Sequence, residues 1–223
     1  MVSAVPGAAG VAGYLAAQSS MKAVTLLAEA VIGGHPSLDV VMNNAGILKT
    51  PDPVTPDGLD IRFAVNTPAP YLLTKRLLPA PGSAGRVVNL SSAAQAPANL
   101  EAVPGQVRLD DMAAYAQSKL ALTMWSRAVV LQEFGKVIVA VNPGSLLASK
   151  MVQEAFGVAG GDIGIGADIL TRAALSEEFA TATGLYFEND AGRFGPPHPD
   201  ALDGTKAAPL LQVMDSIVAD LSR

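Results

Sequence analysis

Tyr115 and Lys119 stand four residues apart in a stretch with helical spacing, so their side chains share one face of the helix. A phenol with its ordinary pKa of ~10 is a poor base near neutrality. A neighbouring ammonium favours the phenolate, lowers that pKa and brings Tyr115 toward acid–base work. Alone, the pair also suits an ordinary helix with an exposed lysine. Ser92 follows Val87-Val88-Asn89-Leu90-Ser91 at the C-terminal end of a strand-like run, where open α/β sheets bind ligands. A hydroxyl there can hold a carbonyl or alcohol oxygen against Tyr115, while Ser91 also reads as a turn or capping serine. Asn66 lies in Phe63-Ala64-Val65-Asn66, four residues before Pro70. Pro70 has no N–H, so the Asn66 carbonyl loses its helical donor, and Pro68 does the same to Ala64. The helix should kink there and free a carbonyl for a water that reaches Lys119.

The elements that must position these groups are legible as runs. Leu38–Met42, Arg86–Leu90, Val137–Val141 and Gly184–Phe187 are short and apolar without polar alternation, as expected of strands covered on both faces. Helical stretches lie between them: Ser20 to Ile32, Leu59 to Leu78, Met112 to Phe134 and Asp162 to Glu178. Asp110 and Asp111 are N-cap candidates before Tyr115. A last helix carries Leu210, Leu211, Met214, Ile217, Val218 and Leu221 as one stripe. Strands alternating with helices predict an α/β fold with a parallel sheet. No repeat or linker divides the 223 residues, so they read as one domain, with 1–17 a poorly defined leader and 18–223 the folded part.

Composition narrows the function classes. Half the residues are hydrophobic and 16% charged, with 21 glycines and 16 prolines, which suits buried strands joined by tight turns. A net charge of −5 with no basic run argues against nucleic acid. The absence of cysteine excludes disulfides and thiolate metal sites, and His35 and His198 read as separate loop residues, so no metal is expected. No apolar run approaches the ~18 residues of a membrane span. Met1 to Ala17 lacks a basic n-region and contains Pro6 and three glycines, so it does not read as a signal peptide. A cytoplasmic protein is the expectation.

Asn43-Asn44-Ala45-Gly46, Ser91-Ser92, Tyr115-Ala116-Gln117-Ser118-Lys119 and Asn142-Pro143-Gly144 occur in that order, each beside a strand-like or helix-like run. This ordered set resembles the short-chain dehydrogenase/reductase family over most of the chain. The resemblance implies an NAD(P)-dependent oxidoreductase that interconverts an alcohol and a carbonyl in a small-molecule substrate by hydride transfer. Tyr115 would exchange a proton with the substrate oxygen and Ser92 would orient that oxygen. Lys119 would also bind the nicotinamide ribose, and Asn66 would complete the proton relay through its backbone carbonyl. For NAD or NADP the resemblance implies contacts from Asn43, Ala45, Gly46, Tyr115, Lys119, Pro143, Gly144 and Ser149. Relatives usually have a threonine for the carboxamide; here Ala148 stands at the common spacing and Ser149 one beyond it. The 22 residues between Ser92 and Tyr115 resemble the longer loop of retinol-dehydrogenase-like enzymes, and Leu100 to Asp110 would then overhang the substrate pocket. In many relatives the helices corresponding to Leu59–Leu78 and Met112–Phe134 build a dimer contact, which implies a homodimer or tetramer.

Against the family pattern, no opening strand and glycine-rich phosphate loop is found upstream of Asn43. The glycines from Gly7 to Gly13 follow no buried strand, are not spaced as TGxxxGxG, and lie too close to Asn43 for two βα units. The expected fold is therefore a partial doubly wound, Rossmann-like parallel sheet lacking the first βαβαβ strands. Its Leu38–Met42 strand would present an unpaired apolar edge. A non-catalytic, partner-binding relative, or a fragment of a complete enzyme, is the alternative reading. The pyrophosphate cradle fixes the nicotinamide, so this chain is expected to bind dinucleotide weakly or not at all. Titration into NADH and NADPH, followed by cofactor fluorescence, tests this, and micromolar binding would overturn it.

Overall fold

The computed structural model describes residues 10–35, 37–78, 83–128 and 136–222. Gly7 to Ala9 of the glycine stretch, and the part of the expected Met112–Phe134 helix beyond Ala128, lie outside them. A five-stranded, mostly parallel sheet flanked by helices forms the body. Its strands run β1 (Leu38–Asn43), β2 (Ser83–Leu90), β3 (Val137–Asn142), β4 (Tyr186–Glu188) and β5 (Arg193–Gly195), adjacent in that order. The first four are parallel, and β5 pairs antiparallel with β4. β5 was not legible beforehand because three residues carry no period. Its one local signal is the Asn189–Gly192 turn, where Gly192 takes φ +65°.

Both faces of β2 and β3 are buried, and this is why these two strands read as continuous apolar runs. The expected double cover fails on β1, where Asp39 and Met42 are exposed. Along β2, Val87 faces one cluster and Val88 and Leu90 the other; along β3, Ile138 faces the first and Val139 and Val141 the second. The first cluster is covered by α1 (Met21–Gly34), α3 (Pro68–Leu77), α4 (Asp111–Ala128) and α7 (Gly204–Leu221). α6 (Ile163–Leu175) covers the second through Ile169 and Ala173, beside Phe179, Phe187 and Phe194. α1 starts at Ser20, whose side chain accepts from the Ala23 N–H. Among the described residues β1 pairs with β2 alone, and Met42 on it is 39% exposed.

The expected Leu59–Leu78 helix is two helices. α2 (Ile61–Asn66) ends at Thr67, whose φ −132° and ψ −71° are not helical, and α3 begins at Pro68. The prolines dictate the break, since neither Pro68 nor Pro70 can donate to the preceding turn. Asp60 caps α2 and, with Asp111, holds the Arg62 guanidinium; Arg62 and Asp60 are both 2% exposed. Arg62, shared between the buried Asp60 and the more exposed Asp111, ties the start of α2 to the start of α4. α7 settles on α3 and α4 with Leu210, Met214 and Ile217 buried, and Tyr71 Oη donates to Asp215 Oδ1 at 2.8 Å. Trp125 packs edge-on to Tyr71 in this layer, fully buried.

The Leu100–Asp110 segment does not hang free over a pocket. Ala102 and Val103 are fully buried, and Leu100, Val107 and Leu109 pack on the cluster that holds Leu59 and Phe63. Gly105 lies against the loop before α2 at φ +83°, and a Cβ there would collide with the Gly58 carbonyl oxygen. Apolar side chains in the loop decide this, since they bury more surface against α2 than over open solvent. Gly105→Ala is therefore expected to destabilise the chain by about 2 kcal/mol or more, from positive φ and the clash together. A lower urea midpoint with earlier proteolysis at residues 100–109 is the expected result.

Candidate active site

The C-terminal ends of β1, β2 and β3 and the first turns of α4 meet in one place. α4 is capped by Asp110, whose Oδ1 accepts from the Ala113 N–H at 2.8 Å. Tyr115 one turn later lies close enough to the Ser92 side chain for Ser92 to favour its phenolate. Ser92 Oγ in turn accepts from the Ala94 N–H at 3.1 Å, so its proton is free for Tyr115. Ser91 is different: it is 3% exposed and its hydroxyl bonds Thr123 Oγ1 at 2.6 Å. Of the two serines, the second is the one aimed at the tyrosine.

Lys119 is 3% exposed and does not reach the phenol oxygen. Its ammonium donates to the Leu90 carbonyl at 2.7 Å and sits 5.7 Å from the centre of the Tyr115 ring. The expected lowering of the Tyr115 pKa is therefore corrected. Burial pushes the phenol up, and the nearby Ser92 side chain offsets only part of that. The physical reason is that a lysine one turn on stands beside the ring, and the last carbonyl of β2 captures its charge. Burial also acts on Lys119 itself, bringing its pKa down to about 8.

Asn66 is fully buried, and its side chain binds the Asn43–Gly46 turn to α4. Its Nδ2 donates to the Ile47 carbonyl and to Ser118 Oγ, each at 2.9 Å, and its Oδ1 accepts from the Ile47 N–H at 2.9 Å. Its backbone carbonyl has no helical donor, because Pro70 stands at the donor position. Gly46 completes this corner. A Cβ there would lie 3.3 Å from both Asn66 Oδ1 and Lys119 Nζ, so glycine alone leaves that space open. Beyond it lies a cleft of about 190 Å³ between residues 46–49 and the short helix α5 (Lys150–Phe156).

The remaining expected cofactor contacts fall into two groups. Ala45 is exposed beside Gly46, and Pro143 and Gly144, with Gly144 at φ +129°, turn the chain after β3. Asn43 and Ser149 have their polar atoms engaged. Asn43 Nδ2 donates to Asn89 Oδ1 at 2.7 Å and Thr74 Oγ1 at 3.1 Å, which braces the sheet. Ser149 caps α5, accepting from the Val152 N–H at 3.3 Å. Three contributors were not foreseen: Ser118, Gln95 and the Leu90 carbonyl. Ser118 was within reach of sequence reasoning, since it shares a helix face with Tyr115 at a spacing of three. Gln95 Nε2 donates to the Ser92 carbonyl at 2.9 Å, a contact that only the folded loop creates.

The residues fit the nicotinamide-ribose end of NAD or NADP. Gly46 leaves an open space beside the buried Lys119 ammonium, which itself stands over the Tyr115 ring.

A family model described as short chain dehydrogenase matches residues 7–157. Retinol dehydrogenase 13 from mouse is 30% identical over 206 residues, 83% of this chain and 61% of that protein. Human retinol dehydrogenase 13 is 29% identical over 213 residues, 83% of this chain and 62% of that protein. The chain thus spans less than two thirds of the length of these curated relatives. Among solved structures, an uncharacterised protein from Mycobacterium paratuberculosis superposes with a TM-score of 0.71 at 25% identity, over 92% of this chain and 74% of that one. The NADPH-bound carbonyl reductase from chicken fatty liver gives 0.60 at 21%, over 82% and 75%, a likeness of fold alone.

The lowered pKa of Lys119 sets a pH dependence. Between about 8 and 10.5 the unfolded chain holds a proton on this lysine that the folded chain has released. Stability should therefore rise with pH across that window, by on the order of 3 kcal/mol in full. Above ~10 the tyrosines with raised pKa act in the opposite sense, so the rise is clearest below that. Urea unfolding at about pH 7.5 and 9.5 should show it, and Lys119→Met should remove it.

Proposed function

We infer the activity from one premise: this chain belongs to the short-chain dehydrogenase family. Its site interconverts an alcohol and a carbonyl on a small molecule, with NAD or NADP as the redox partner. The observation that carries this reading is the placing of the Ser92 side chain beside Tyr115 at the ends of the parallel strands, with the buried Lys119 one turn away.

Each residue has a task that follows from its surroundings. The Ser92 hydroxyl, aimed at Tyr115, holds the substrate oxygen so that the phenol reaches it. Tyr115 gives its proton to that oxygen on reduction and takes it back on oxidation. Its raised pKa suits the acid role, because the phenol stays protonated at neutral pH. Lys119 and the opening at Gly46 hold the nicotinamide ribose. NAD or NADP, when bound there, supplies the hydride donor or acceptor. Lys119 supports the developing phenolate, and the donorless Asn66 carbonyl holds the water that links Lys119 to solvent. Closure of the site by the buried walls of α4 and β2 keeps this charge in a low dielectric.

The relatives' names suggest retinol-like alcohols as first substrates. α7 packs on α3 and α4, the helices through which the resemblance implies a homodimer or tetramer, so a dimer contact would use the faces that α7 leaves uncovered. The edge of β1, unpaired among the described residues, favours a second reading, in which the chain pairs with a partner strand and is not itself catalytic.

The two are separated by turnover at millimolar NADH or NADPH, a level that offsets weak cofactor binding, with retinal and simple aldehydes as substrates. The enzyme reading expects turnover that falls roughly 10²–10⁴-fold in Tyr115→Phe, with the far-UV spectrum unchanged. Equal rates in wild type and variant would sink it.

A further inference from the structure

A polar chain behind Ser92 is not explained by the roles above. β4 sets Tyr186 and Glu188 on one face, two residues apart, while Phe187 turns to the other face among Phe179 and Phe194. The Tyr186 hydroxyl lies 2.8 Å from Glu188 Oε2 and 3.2 Å from the Ser92 carbonyl oxygen. Beside it in register, Asn142 Nδ2 donates to Glu188 Oε1 and, at 3.0 Å, to Asp190 Oδ2. Asp190 also accepts from the Ser145 N–H at 2.8 Å and its hydroxyl at 2.5 Å. One connected path therefore runs from the Ser92 main chain to the turn after Pro143-Gly144. Tyr186 and Asn142 on it are 4% and 2% exposed.

This path is one proton short. Asn142 Nδ2 has two hydrogens and places both, but the Tyr186 phenol has one hydrogen facing two acceptors. With Glu188 ionised, the shorter, charge-assisted bond takes that hydrogen. The Ser92 carbonyl then keeps only the Gln95 donor at 2.9 Å and faces a phenol lone pair. A donor at the Glu188 Oε2 position would return the phenol hydrogen to Ser92.

We propose that Tyr186 is a positioning residue for Ser92, and that Glu188 decides which oxygen receives its hydrogen. The proposal rests on the reading of Ser92 and Tyr115 as the reacting pair, but its test does not need turnover. The Ser92 side chain favours the Tyr115 phenolate, so a shift of the Ser92 main chain is felt at the Tyr115 phenol.

Tyrosine labelled with ¹³C at Cζ gives one signal for each of the four tyrosines, assigned by single Tyr→Phe changes. Tyr186→Phe keeps the ring and removes the hydroxyl. With its hydrogen on Glu188 the phenol gives Ser92 no bond, so this change is expected to leave the Tyr115 signal nearly in place. In Glu188→Gln the side-chain amide donates to Tyr186 Oη, the phenol hydrogen goes to Ser92, and the Tyr115 signal moves; adding Tyr186→Phe to it cancels the movement. An unchanged Tyr115 signal in Glu188→Gln, or one that moves equally with and without the Tyr186 hydroxyl, overturns the proposal. Should Tyr186→Phe fail to fold, Glu188→Gln decides alone: no movement of Tyr115 overturns it. In turnover, Glu188→Gln should alter kcat by about tenfold with KM for the dinucleotide unchanged. A chain inactive in every form would remove the dehydrogenase reading, and the tyrosine signals would still decide this one.

Discussion

Hydrogen bonds between α4 and the ends of the strands set the position of everything in the site. Ser118, Lys119, Thr123 and Ser126 lie on the buried side of α4, where apolar residues would have been cheaper to desolvate. Each finds a partner instead: Asn66, the Leu90 carbonyl, Ser91 and Asn89 respectively. Apolar packing alone would let a helix slide along a sheet by a fraction of a turn at small cost. Four buried polar contacts remove that freedom, since a slip would orphan them at ~1–3 kcal/mol each. The phenol of Tyr115 is thereby held at the height of Ser92. The path extends across the sheet, because Asn89 also accepts from Asn43, which itself reaches Thr74 on α3.

The same burial that fixes the site works against its charges. Tyr115 is held toward its neutral form and Lys119 toward releasing its proton, both by desolvation. A phenol kept protonated beside a serine hydroxyl is poised to donate. A lysine with a pKa near 8 can still carry charge at neutrality, provided that it keeps the Leu90 carbonyl as partner. Burial and the few polar contacts that offset it are thus one design in this corner of the molecule.

The walls of the site differ in rigidity for a reason visible in their contacts. The α2 side is fastened to α4 through Arg62 and Asp111, and the long loop after Ser92 is pressed onto it through Ala102 and Val103. α5, on the opposite side of the cleft, has no buried residue, and Phe156 at its end is 45% exposed. Backbone bonds between 146–148 and Gly161 anchor the base of that segment. Few buried apolar contacts mean low local stability, so adjustment to a ligand falls on this wall.

By itself the sequence determined what depends on near neighbours along the chain. The runs Leu38–Met42, Arg86–Leu90 and Val137–Val141 read as strands, the last two of them covered on both faces, and the stripe from Leu210 to Leu221 reads as a helix because burial of one face imposes a period. The prolines at 68 and 70 announced a break, since a missing N–H is a local fact. Ordered motifs singled out Ser92, Tyr115, Lys119 and Asn66, and the fold gathers them. Only the tertiary structure decided where each polar atom points. It turned Lys119 to a carbonyl and not to the phenol, and laid Leu100–Asp110 against α2. It also brought Tyr186 to Ser92 from 94 residues away. Such choices are settled by competition for donors, acceptors and buried space among segments far apart in the chain, and no local pattern encodes the outcome.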